Sequence, residues 1–355
     1  MTTLERAPRI NAIATAAPPT ECDASYHTWA MRQLEGRREA GLLDRMLQRS
    51  GIGSRFTVLS DRDTTESEGS FYAGEAPSTA VRMAVYAREA PELALEAIAQ
   101  LGPLEGITHV VVASCTGFTA PGLDQVLARR LGLAATVERV VIGFMGCYAG
   151  VTALRTAGHI VRSDPSARVL VVAVELCTLH LQPTDRLERL LAMAQFADGA
   201  AAALVTAEGS GLALGESLSL TLEDSHDLIT WTIGDTGFAM ELSGAVPGRL
   251  VEALGRSEVA QAVTDGTSPD TIEAWAVHPG GRSIVDAVER GLALAPDRLA
   301  ASRGVLADYG NMSSATVMFV LQRLMGERPE SGLALAFGPG LAMEGLRFGW
   351  TGDAG

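Results

Sequence analysis

The sequence predicts an α/β fold with largely parallel sheets, and two observations carry that expectation. Short apolar runs rich in β-branched residues alternate with helix-patterned segments, as strand–helix–strand units require. Chemistry-bearing residues also recur at matching intervals in the two halves of the chain. The steps from Cys115 to Cys147 to Glu175 are 32 and 28 residues; those from His278 to Asn311 to Gly338 are 33 and 27. Strand–helix units of similar length also produce such intervals by chance, so spacing alone leaves duplication and coincidence both open. A duplication would bring Cys147 and Asn311, each ahead of a helix, towards one central site.

Each element has a local reason. "APELALEAIAQLG", residues 90–102, reads as a helix, and "THVVVAS", 108–114, as a buried strand. "GLDQVLARRLG", 122–132, reads as a helix stopped by Gly132. An apolar run ends at Ile142, and a helical pattern follows Gly146-Cys147. "RVLVVAVEL", 168–176, and "EAWAVH", 273–278, read as buried strands, the second ending on His278. Asn311 precedes two serines and an apolar helix, and "LALAFG" runs to Gly338 ahead of a glycine turn.

Composition bounds the function. The 355 residues suffice for two average domains or one large α/β unit, and 47% are hydrophobic, so a sizeable core is expected. With 28 Lys+Arg against 42 Asp+Glu, the net charge of −14 disfavours a general nucleic-acid binder, and an anionic substrate needs a local basic patch. The four cysteines, Cys22, Cys115, Cys147 and Cys177, form no C-x-x-C pair; neither a zinc site nor a disulfide framework is expected, and reduced thiols suit a cytoplasm. The opening residues lack the apolar core of a signal peptide, and no run reaches the ~18 apolar residues of a membrane span.

Cys147 stands where a strand turns into a helix. The unpaired N–H groups of a helix start favour a thiolate, so a lowered pKa is expected there; a small buried turn residue is the alternative. His278, at a strand end before Pro-Gly-Gly, is a candidate cationic partner or an ordinary structural histidine. Asn311 suits a helix cap, or a donor to a substrate carbonyl oxygen.

Five motifs, "GFMGCYAG", "FADGAAAALV", "VHPGGRSIVDAVE", "YGNMSSATV" and "AFGPGLAMEGL", resemble those of the type III polyketide synthases, the chalcone synthase superfamily. The likeness runs in order from about residue 9 to the C-terminus, and wording such as "SCTGFTAPGLD" is nearer to bacterial members than to plant ones. The resemblance implies a thiolase fold, five layers (αβαβα) in duplicated halves, here 1–207 and 208–355, acting as a homodimer. It makes Cys147 the nucleophile, His278 and Asn311 its catalytic partners, and Phe196 the gating aromatic. It also implies iterative decarboxylative condensation of malonyl-CoA onto an acyl-CoA starter, ending in a pyrone or a resorcinol/phloroglucinol-type ring. The CoA thioesters are substrates, and no metal, nicotinamide or other cofactor is implied.

Arg45 and Arg49, four apart, match two CoA-binding positions; a third falls on Leu42, and Arg282 is placed to supply the missing charge. Cys115, His180, Met240, Gly237 and Ser313 are expected on the cavity wall. Ala120-Pro121 is expected to close that wall across the dimer, where the small alanine would leave room for an apolar tunnel. The rivals are a β-ketoacyl-carrier-protein synthase III, which also uses Cys, His and Asn, a cysteine hydrolase, and a scaffold without activity.

Overall fold

The computed structural model describes residues 7–60 and 69–352; the ends of the two expected halves, 1–6 and 353–355, lie outside the described residues. The first part of the chain forms β1 (Arg9–Ala16), β2 (Thr20–Glu21), α1 (Asp23–Gln33), α2 (Ala40–Gln48), β3 (Phe56–Thr57), α3 (Thr79–Ala99), β4 (His109–Ser114), α4 (Leu123–Arg130), β5 (Glu138–Gly143), α5 (Ala149–Ser163), β6 (Val169–Leu176), α6 (Leu187–Met193) and β7 (Asp198–Thr206). It continues as β8 (Gly211–Thr221), β9 (Ile229–Gly234), β10 (Gly237–Leu242), α7 (Val246–Gly255), α8 (Ser257–Thr264), β11 (Ala274–Val277), α9 (Arg282–Gly291), α10 (Ala300–Tyr309), α11 (Thr316–Glu327), β12 (Gly332–Gly338) and β13 (Ala342–Thr351). Helix α3 starts well before residue 90. The Ser78 side chain caps it by accepting from the Val81 N–H, and Pro91 is accommodated inside it.

Nine strands form one sheet in the order β11-β12-β13-β8-β1-β7-β6-β4-β5. Read outward from the β1–β8 pair, the order mirrors itself: β7, β6, β4 on one side answer β13, β12, β11 on the other. The parallel character expected from the sequence is corrected. Three neighbouring pairs are parallel, β4–β5, β4–β6 and β11–β12, and five are antiparallel. The reason is local: β13 follows β12 through a turn of residues 339–341, and so tight a return reverses direction.

Side-chain alternation along the strands creates the layers. Val110 and Val112 of β4 pack with Tyr86 and Leu93 of α3 and Leu127 of α4. Val111 and Ala113 face the opposite way, into a core shared with Leu154 and Ala157 of α5 and Val317 and Leu321 of α11. In β11, Ala276 enters that same central core, whereas Trp275 and Val277 pack outward with α7 and α9. Five layers result, with α5 and α11 sandwiched between the two arms of the sheet.

Two contacts set how closely α5 approaches the segment leading into α11. Gly150, in the first turn of α5, has no room for a side chain: an added Cβ would stand 2.2 Å from the Ser314 carbonyl oxygen. Glu175 of β6, fully buried, then ties the two arms together. Its carboxylate accepts from the Ser314 hydroxyl on one side, and from the Cys115 N–H and Thr116 hydroxyl at 2.9 Å each on the other. Burial raises its pKa from 4.5 to about 7, although all three donors favour the charged form.

Gly150→Ala should lower thermal stability. The helix-propensity gain of ~1 kcal/mol is outweighed by overpacking against backbone, which costs about 1–3 kcal/mol. A melting temperature at or above wild type would contradict this contact. Glu175→Gln should keep the fold, because the amide oxygen replaces one acceptor and the Ser314 hydroxyl can turn to accept from the amide N–H. In the folded chain Glu175 stays protonated to about pH 7, whereas in the unfolded chain it ionises near 4.5, so its contribution to stability falls as pH rises through that window. Thermal melts between pH 4.5 and 7 should therefore move in favour of the glutamine variant as pH rises.

Candidate active site

Cys147 lies between β5 and α5, two residues before the helix starts. Gly146 makes the turn possible: its φ is +90°, and an added Cβ would sit 2.5 Å from the Pro339 ring. That contact presses the cysteine turn onto the glycine loop between β12 and β13. From behind, the Gly146 N–H donates to the Cys115 sulfur at 3.1 Å.

His278 directly follows β11, and its N–H donates to the Leu335 carbonyl at 2.7 Å. The ring is buried, and among the described residues neither ring nitrogen has a hydrogen-bond partner. Asn311 occupies the turn between α10 and the 3-10 segment Ser313–Ala315. Its backbone bridges to Phe196 like a strand residue: the Asn311 N–H donates to the Gln195 carbonyl, and the Ala197 N–H donates to the Asn311 carbonyl. Its side-chain oxygen accepts from the Ser313 N–H at 2.8 Å, and its amide donates to the Gly280 carbonyl at 3.1 Å. The oxygen caps the turn, and the amide nitrogen keeps a second N–H.

Cys147, His278, Asn311 and Phe196 all line one cavity, with Met240, Trp231 and Gly338 completing parts of its wall. Trp231 was not among the expected residues. It pairs directly across the β9–β10 hairpin with Met240, so both side chains lie on one face. The hairpin was legible in "GDTG" between two apolar runs, but not which face met the cavity.

The electrostatics correct one expectation. Cys147 is pushed up to about 11 by burial, while the side chains of Ser313 and Asn311 pull towards the thiolate. A helix dipole contributes about 0.3–2 kcal/mol and fades within a turn, so it does not overcome the loss of water around the sulfur. Burial likewise holds His278 down at about 3, which makes it a neutral imidazole.

The expected wall residues divide. His180 lines a second, larger cavity that meets the first at Phe196, Trp231 and Met240. It is held down at about 4 by burial; Nδ1 accepts from the Phe238 N–H at 3.1 Å, Nε2 donates to the Thr116 carbonyl at 2.7 Å, and the ring stacks on Phe238 at 4.2 Å. Cys115, Gly237, Ser313, Ala120 and Pro121 line neither cavity. Cys115 clasps Gly146, Ser313 stands beside Cys147, and Gly237 leaves room for the Arg82 side chain, 2.8 Å from where a Cβ would sit. The Ala120-Pro121 bond is cis, with Ala120 exposed.

Arg45 and Arg49 are exposed on and just after α2. Arg282, at the start of α9, reaches across to donate to the Arg49 carbonyl at 3.2 Å, with Asp286 3.7 Å away. Leu42, on the missing basic position, is itself exposed. Among the described residues, no cluster of three or more His, Cys, Asp or Glu is placed to hold a metal, and no helix is long and apolar enough to cross a membrane.

Comparison with known proteins places this geometry. Residues 10–209 match the family described as chalcone and stilbene synthases, N-terminal domain, and residues 214–349 match its C-terminal domain. The alpha-pyrone synthesis polyketide synthase-like Pks18 of Mycobacterium tuberculosis (strain ATCC 25618 / H37Rv) is 30% identical over 361 residues, covering 96% of this chain and 90% of that protein. PKS-I from the brown alga Ectocarpus siliculosus superposes with a TM-score of 0.87 at 30% identity, covering 97% of this chain and 98% of that one. The C-terminal type III polyketide synthase domain of Steely1 from Dictyostelium superposes with a TM-score of 0.86 at 28% identity, covering 97% and 99%. Since the two family matches run almost from end to end, the chain belongs to the chalcone and stilbene synthases: it is a type III polyketide synthase, an acyltransferase built on the thiolase fold.

Proposed function

We propose that Cys147 carries the acyl chain, with His278 and Asn311 as its catalytic partners. The observation that carries this reading is their convergence, with Phe196, on one cavity from three separate turns. The Cys147 sulfur attacks the carbonyl carbon of a starter acyl-CoA, and neutral His278 takes its proton as the C–S bond forms. The tetrahedral intermediate collapses, CoA leaves as the thiol with that proton, and the acyl group stays on the sulfur. Malonyl-CoA then loses CO₂, and the electron pair of the broken C–C bond becomes an enolate. One His278 N–H and the second Asn311 amide N–H face the enolate oxygen. The enolate carbon attacks the acyl carbonyl, sulfur departs from it, and the chain grows by two carbons.

Phe196 closes the cavity beside the nucleophile and disfavours the malonyl carboxylate more than its neutral product. Arg45, Arg49 and Arg282 hold the CoA phosphates. No metal or cofactor enters the scheme, because the thioester supplies the activation. An alpha-pyrone is the first product to look for, in keeping with the name of the mycobacterial relative, and a resorcinol or phloroglucinol ring is the other. The mirrored strand order supports reading 1–207 and 208–355 as duplicated halves. A cytoplasmic homodimer completes the reading; β5 is an open sheet edge, with Val140, Val141 and nearby Phe118 exposed, and suits a second copy.

Cys147→Ala should cut product formation at least about a thousandfold while leaving the fold intact, as loss of a nucleophile does. Incubated with starter alone, the wild type should gain acyl mass on the Cys147 peptide only. Cys22 is pushed up to about 12 and Cys115 and Cys177 well above the ordinary thiol value, all by burial, so label on any of these would reassign the nucleophile. Arg45→Ala with Arg49→Ala should raise KM for malonyl-CoA about three- to tenfold and leave kcat nearly unchanged, since phosphates lie far from the bonds that change. Added salt should raise the wild-type KM in the same direction. An unaltered KM in the double variant would remove these arginines from CoA binding.

A further inference from the structure

Hydrogen-bond donors are scarce around the catalytic cavity. Among the described residues of its wall, four side chains carry an S–H or N–H: Cys147, His278, Asn311 and Trp231. The proposed mechanism uses the first three. Trp231 is left over, and its Nε1–H is buried without a partner, as are both ring nitrogens of His278. The Trp275 indole N–H also lacks a partner, but that residue is fully buried in the outer core and lines neither cavity, so no ligand reaches it. A buried donor without an acceptor is costly, and an indole N–H usually has one. At Trp231 the acceptor can come from the ligand, because the residue lines the space that the ligand enters.

The indole is held in place by packing. It stacks on Phe144 with ring centres 5.7 Å apart and planes 26° apart, and meets Phe238 edge-on at 6.2 Å. The register of the β9–β10 hairpin sets it opposite Met240. The donor therefore has little freedom left to lose when an acceptor arrives. The neighbouring donors are engaged with the protein itself. The Tyr26 hydroxyl donates to the Leu190 carbonyl, the Tyr72 hydroxyl to the Thr178 carbonyl, and the Gln182 amide to the Thr236 carbonyl at 2.9 Å. Both His180 nitrogens are engaged, and Arg189, whose Nε lacks a partner, is paired through its terminal nitrogen with Glu241. A saturated acyl group on Cys147 has a single oxygen, that of the thioester carbonyl. After one extension, the chain returned to Cys147 carries a keto oxygen two carbons farther on. In a wall this apolar, that new oxygen is costly unless a donor meets it.

We propose that Trp231 is a specificity-determining residue whose Nε1–H donates to the β-keto oxygen of the once-extended chain on Cys147. The site then holds a β-ketoacyl group better than a saturated acyl group of the same length. Trp231 contributes nothing to the first acylation by a saturated starter and acts from the first extension onwards. The proposal rests on the reading of Cys147 as the acylated residue.

The test compares acetoacetyl-CoA with butyryl-CoA, which share a four-carbon chain and differ in the 3-keto oxygen. Each is supplied with malonyl-CoA to the full chain, to Trp231→Phe, and to the protein carrying 3-benzothienylalanine at position 231. The phenylalanine keeps a ring for stacking; the sulfur isostere keeps the two-ring shape and lacks only the N–H. A thermal melt of each checks folding, and either variant suffices. Loss of the N–H should lower kcat/KM for extension of acetoacetyl-CoA about three- to tenfold, the range of one net hydrogen bond, and leave butyryl-CoA within about twofold of wild type. An equal fall for both starters would assign Trp231 to shape or to the malonyl unit and overturn the proposal. So would a folded variant that changes neither, or a wild type that extends butyryl-CoA and leaves acetoacetyl-CoA unused. No acyl mass on Cys147 from either starter would instead overturn the reading of the nucleophile on which the proposal rests.

Discussion

The close approach of Gly150 to the Ser314 carbonyl governs the site. Two helices of the central layer, α5 and α11, belong to opposite arms of the sheet, and each is preceded by a turn carrying a candidate catalytic side chain. Cys147 and Asn311, on those two turns, line one cavity. Glycine at 150 removes the side chain that would keep them apart. Glu175 then ties the turn ahead of α11 to the end of β4, accepting from Ser314 on one arm and from Cys115 and Thr116 on the other. A buried carboxylate is costly, and three donors converging on it are the kind of network that tolerates it.

The same burial decides the protonation states. The His278 ring is buried and Cys147 is partly covered, and the loss of water around each disfavours its charged form by more than the dipole of a helix that starts two residues later offsets. The site therefore keeps its groups neutral until a substrate brings charge to it. One N–H on His278 and one on Asn311 are the donors that the proposed mechanism turns on a developing oxyanion.

The proposed catalytic residues and the wall shared by the two cavities stand on different elements of the fold. The proposed catalytic side chains stand on turns clamped by the sheet and the central helices. Trp231 and Met240 stand on the β9–β10 hairpin, which forms its own two-stranded sheet and touches the scaffold through contacts such as Arg189–Glu241 and Phe238–His180. Trp231 also stacks on Phe144, three residues before Cys147, so changes in that hairpin reach both the boundary between the two cavities and the turn that holds Cys147.

The sequence by itself determined the fold class and the three catalytic candidates. Cys147 was legible because a Gly-Cys pair between an apolar run and a helical pattern is a local signal, and so were the Pro-Gly-Gly after His278 and the polar turn ahead of α11. Five motifs in order made the family legible. Local patterns do not carry strand direction, so the mixed sheet was missed; a return through three residues, not a helical crossover, sets the sense of β13. Nor do they carry desolvation, a collective property of everything packed around a thiol, so the expected shift of Cys147 had the wrong sign. Trp231 and the chamber beyond it were hidden for the same reason. Tyr26, Leu59, Met193 and Phe238 are far apart along the chain, and only the packing of α1, α6 and the hairpin against one another leaves a space between them.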